Sequence, residues 1–174
     1  MSTVAIDSSN IARRQGYSLL QILLHWMIAA LVLFQLVFGE SMTAAVDAVS
    51  EGGLASPFDQ QVATLHYWFG LAILAFAALR LAVWWLQGAP EAHAATPPWA
   101  RRLAGAAHAL FYVLLFAVPV TGLLGYYVEG PFGDIHALAK PVFITLIAIH
   151  AMAALYHQLW LKDGSLLRML RPGK

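Results

Sequence analysis

Four apolar runs, each about as long as a bilayer is thick, constrain this chain more than any motif does. They extend from about Leu19 to Phe38, Val62 to Leu86, Leu103 to Tyr127 and Asp134 to Trp160. A membrane-spanning helix needs about 20 mostly apolar residues for a hydrocarbon core of about 30 Å. The expected fold is therefore all-α, a four-helix transmembrane bundle. With 60% hydrophobic and only 11% charged residues, and a mean hydropathy of +0.68, the composition lies outside that of a soluble domain. One domain is expected: a polar tail over 1–16, the transmembrane domain over 17–170 and a basic tail over 171–174.

Arg13 and Arg14 ahead of the first run resemble the start of a signal peptide. The run is longer than a secretory apolar region and no small-x-small cleavage site follows directly, so it reads as a retained helix. Between the first and second spans, Glu40 to Gln61 reads as a loop carrying Gly52, Gly53 and Pro57, with a short helical piece at Thr43 to Val49. Gly88, Pro90, Pro97 and Pro98 mark the next break, and Gly130, Pro131 and Gly133 the last. Pro119 falls inside the third span, where a bundle tolerates a kink.

Four spans place both termini on one side. Arg13, Arg14, Arg80, Arg101, Arg102, Lys162, Arg168, Arg171 and Lys174 lie at or toward that side, and Lys140 alone toward the other. Basic loops stay cytoplasmic, so both termini are expected in the cytoplasm of a bacterium. The opposite, periplasmic face carries Glu40, Asp47, Glu51, Asp59, Glu129 and Asp134 and is acidic.

The seven histidines carry the chemistry. His136 and His150 in the fourth span are 14 residues apart, which puts them about 40° apart around one helix face and about 21 Å apart along it. Imidazole is a haem-iron ligand and an expensive passenger in hydrocarbon, so two ligand levels on one helix point to two stacked haems. His66, at the outer start of the second span, matches His136 in height and forms an outer pair with it. The inner candidates are His25, His108, His150 and His157. A ligand at His157, about 31 Å from His136, would place a haem among the headgroups, so His150 is the inner ligand from this helix. His25 is its preferred partner and His108 the competitor. Zinc is the rival metal, but it favours a compact tetrahedral cluster over two levels of pairs. With no cysteine in the chain, disulfides, iron-sulfur clusters and covalent c-type haem are excluded.

Other residues have plainer readings. His93, in the proline-rich loop, is an interfacial polar group. Arg80 either snorkels to the inner surface or pairs with a haem propionate. Trp26, Trp68, Trp84, Trp85, Trp99 and Trp160 lie near span ends, as interfacial anchors do.

In combination, YSLLQILLHW at Tyr17 to Trp26, LHYWFG at Leu65 to Gly70, and Arg80 followed by Pro97 and Pro98 form a specific pattern. It continues through HALFYVLLFAVPVTGLLGY at His108 to Tyr126, the His136 and His150 pair, and YHQLWLKDGSLLRML at Tyr156 to Leu170. Over Tyr17 to Leu170 the chain resembles the bacterial cytochrome b561 family of di-haem membrane proteins. The resemblance implies one haem b between His25 and His150, a second between His66 and His136, and exchange of electrons with ubiquinone. It further implies an inner-membrane superoxide:ubiquinone oxidoreductase, with His157, Tyr17 and Ser18 near the quinone headgroup. The alternative is a non-catalytic electron carrier or haem subunit serving a periplasmic redox protein, a reading that the acidic outer face favours because superoxide is an anion. No nucleic acid partner is expected.

Overall fold

The computed structural model describes residues 16–90, 96–128 and 130–173. Four helices follow one another: α1 (Leu19–Ser50), α2 (Pro57–Gln87), α3 (Pro98–Tyr127) and α4 (Phe132–Tyr156). Beyond α4 come a π-helical turn, His157–Leu161, and a 3-10 turn, Leu167–Met169. His93, Glu129, Arg13 and Arg14 fall outside the described residues.

All four helices are long and apolar enough to cross a membrane. Little of each helix is buried inside the bundle, so most apolar side chains face outward. The small core joins all four helices through Ile28, Val32, Ile73, Ala77, Leu115, Ala139 and Phe143.

The expected loop from Glu40 is helix as far as Ser50. Nothing between 40 and 50 breaks a helix, and a helix that emerges from hydrocarbon into water remains hydrogen-bonded along its backbone. The same holds for α2, which starts at Pro57 rather than near Val62: Ser56 caps it by accepting the Asp59 N–H, and Pro57 sits where a missing N–H costs nothing. At the other end Gly88, with φ of 72°, stops α2, and its carbonyl accepts a hydrogen bond from the buried Gln21 side chain at 2.9 Å.

Pairing is uneven. α1 lies along α2, α3 along α4, and α2 touches α3, whereas α1 and α4 have no comparable backbone approach. The molecule is thus two helical hairpins facing each other. Within the second hairpin the approach is closest at the loop end, where a side chain on Gly125 would meet the Gly133 backbone at 2.9 Å. At the opposite end the first and last described residues meet, with the Gly173 N–H donating to the Tyr17 carbonyl at 3.1 Å and the Trp26 indole to the Met169 carbonyl at 2.8 Å.

Candidate functional site

Each helix turns a stripe of heptad spacing toward the gap between the hairpins. On α1 it runs Gln21, His25, Ile28, Val32, Gln35, Gly39, at alternating steps of four and three residues. On α4, His136, Phe143 and His150 recur every seventh residue, and His157 follows at the same interval in the π turn beyond it. α3 contributes His108, Phe111, Leu115, Val118 and Gly122.

These stripes bring the histidines into two groups. His66 on α2 faces His136 on α4 with ring centres 5.9 Å apart, and His25 on α1 faces His150 on α4 at 6.4 Å. An imidazole nitrogen binds a metal at about 2 Å, so two rings on opposite sides of one ion have centres about 6 Å apart. Both separations meet that requirement. His108 also approaches His150, at 5.8 Å, so ring separation by itself does not select the inner pair. His25–His150 and His66–His136 both cross from the first hairpin to α4, whereas His108 and His150 sit on adjacent, packed helices. His108 is also the more exposed residue, while His25 is half-buried.

At the outer pair the ring nitrogens carry further information. His136 Nδ1 is 2.9 Å from the Val118 carbonyl, which only accepts, so Nδ1 holds the proton and Nε2 keeps its lone pair. Gly122 makes this approach possible, since a Cβ there would lie 3.0 Å from the His136 ring. His66 Nδ1 is buried without a hydrogen-bond partner, as expected of a ring whose environment is completed by a bound group. The Gln35 amide donates to the His66 carbonyl at 2.8 Å and joins α1 to α2 at this level. Gln35, Gly39 and Gly122 did not stand out in the sequence; the heptad register they share with His25 and His108 is the signal that marks them. Among the described residues no three metal-binding side chains converge.

At the inner level Arg80 is half-buried and lies within electrostatic reach of His25, His108, His150 and Tyr17. Tyr17 stands just before α1; burial raises the pKa of its phenol, against the opposing charges of Arg80 and Arg168. Ser18 caps α1 in a reciprocal pair with Gln21. His157 is positioned by the turn after α4: its Nδ1 lies 2.5 Å from Asp163 Oδ2, whose side chain is only 7% exposed. Burial raises the Asp163 pKa, but hydrogen bonds from His157 and Ser165 outweigh it and hold the carboxyl at about 2. That contribution to stability is present above about pH 4 and is lost as the pH falls through about 2. At the loop end, Lys140 is tied to Glu40 at 2.7 Å.

The profile of the prokaryotic cytochrome b561 family matches residues 16–172. The chain belongs to the prokaryotic cytochrome b561 family. It is 38% identical to cytochrome b562 of Cereibacter sphaeroides, covering 90% of this chain and 96% of that one. It is 28% identical to the probable superoxide oxidase CybB of Yersinia pestis, over 88% of this chain and 95% of the relative. Cytochrome b561 homolog 1 of Escherichia coli K12 is likewise 28% identical, over 88% and 96%. As a cytochrome b561 with four apolar helices, the protein is a multi-pass electron-transfer protein of the bacterial inner membrane, and haem b is its cofactor.

Proposed function

We propose that this cytochrome b561 holds two haem b groups, one between His25 and His150 and one between His66 and His136. It passes electrons between a periplasmic donor at the loop end and ubiquinone at the cytoplasmic, termini-bearing end. The observation carrying this reading is the pair of facing imidazoles at each of two levels of α4, 14 residues apart. Haem b, when bound, supplies a one-electron iron couple. The residues supply the rest. His25, His66, His136 and His150 ligate, the Val118 carbonyl fixes the His136 tautomer, and the half-buried Arg80 neutralises a propionate. His157, Tyr17 and Ser18 line the place of the quinone headgroup. Arg80, Arg101, Arg102, Lys162, Arg168 and Arg171 toward the termini-bearing end support its cytoplasmic orientation.

Gly122→Val, which pushes a branched side chain into the His136 ring, is expected to lower outer-haem occupancy while the inner haem stays, read as haem per chain. Full occupancy would show that the His136 ring needs no room there.

The donor we propose is superoxide, on the likeness to the Yersinia relative. Purified protein with oxidised haems and a ubiquinone analogue, given pulses of superoxide, tests it. Haem reduction is expected to outrun spontaneous dismutation; reduction slower than dismutation removes superoxide as donor. A second reading, a carrier for a basic periplasmic redox protein, is favoured by the loop end. There Asp47, Glu51, Asp59 and Asp134 are acidic, and the charge of Lys140 is offset by Glu40.

A further inference from the structure

α4 does not end as an ordinary α-helix. It widens into the π turn His157–Leu161, and Lys162 then adopts a left-handed φ of 50°, a conformation few residues other than glycine take. The N–H groups of Lys162 and Asp163 both point back to the His157 carbonyl, and Asp163 is folded under the helix end against the His157 ring. Its second oxygen accepts the Ser165 N–H at 2.9 Å, so the carboxylate cannot swing away without breaking the turn. A helix end needs no buried carboxylate to stop. Gly164, with φ of 72°, already reverses the chain.

The chemical consequence concerns the two nitrogens of one ring. An ionised carboxylate only accepts, so Nδ1 of His157 keeps its proton and Nε2 becomes the nitrogen that gains and loses one. The same carboxylate prevents the ring from turning over.

We propose that Asp163 is the positioning carboxylate of a proton relay in which His157 Nε2 delivers protons to a quinone oxygen at the termini-bearing end. The proposal rests on the ubiquinone reading above. Reducing one quinone to quinol takes two electrons, which bound haem would supply one at a time, and two protons. His157 Nε2–H gives one proton to the quinone oxygen it faces and regains it from water on the same side, and the para oxygen takes the other proton from water. Asp163 remains ionised throughout. When quinol is oxidised, the same steps run in reverse.

The test uses the complete haem-loaded protein, reduced beforehand and mixed either with a short-chain ubiquinone or with ferricyanide, an acceptor that takes an electron and no proton. Asp163→Asn retains the shape and a hydrogen-bond acceptor but removes the charge. It is expected to slow quinone reduction at least about tenfold with little change in KM, while ferricyanide reduction keeps its rate. Asp163→Glu is expected to restore a substantial part of the quinone rate. An Asn variant as fast as the parent with quinone overturns the relay. So does one that loses both acceptors equally or has altered haem spectra, which would make Asp163 a structural prop. A parent protein that reduces ferricyanide but not quinone would instead overturn the ubiquinone reading on which the relay depends.

Discussion

His66→Ala is expected to remove one haem of two from each chain and to leave the inner one spectroscopically intact. His66 supplies one of the two imidazoles at the outer level, its ring is 5.9 Å from His136, and its Nδ1 is buried without a protein partner. Alanine leaves that level with one axial side chain from α4 alone. The fold is expected to survive, because the core residues Ile73 and Ala77 lie about two and about three turns further along α2 and the Gln35 bond is to the His66 backbone, which the substitution retains. Haem per chain, measured after detergent purification, should fall by half, and a redox titration should lose one of its two waves. Two haems retained would mean that the outer pair is wrongly assigned; loss of both would mean that the two levels are not independent.

The second large effect separates His25 from His108. His25→Ala is expected to abolish the inner haem, and His108→Ala to leave both in place with at most a shifted inner potential. By ring separation the order would be reversed, since His108 is the nearer to His150 at 5.8 Å against 6.4 Å. The expectation rests on the hairpins: α3 and α4 are packed together, and a macrocycle inserted between them would have to pry apart a helix pair joined by a tight turn. The backbones of α1 and α4 make no comparably close approach. Haem content and redox titration of the two variants decide it, and inner-haem loss from His108→Ala with retention in His25→Ala would reverse the assignment.

The two variants also show where sequence reading stops. Hydropathy is a local property, so the four spans, the absence of covalent haem and the bilayer setting are legible without coordinates. Helix periodicity is local as well, which is why His136 and His150 declare two levels on one face from their spacing alone. Span length is a weaker guide to helix length. Hydropathy reports hydrocarbon, whereas α1 and α2 continue beyond it because capping by Ser56 and Pro57 and an uninterrupted backbone keep them helical in water.

The rest depended on which helices adjoin. That His150 has two histidines within ring distance, and that only one of them lies on the other hairpin, follows from the arrangement of two hairpins, a relation between residues more than 40 positions apart. The closeness of His136 to α3 depends on Gly122 and the Val118 carbonyl, neither of which carries a side-chain chemistry that would mark it. At the end of α4, His157 and Asp163 are only six residues apart, yet a continued α-helix would have put them on different faces. Burial in lipid and helical period act residue by residue, so a four-helix membrane protein with histidines at two depths is readable from the chain alone. Tertiary structure decided which imidazoles face each other and which carboxylate holds His157, because those choices depend on where packed helices leave room and where the backbone turns back.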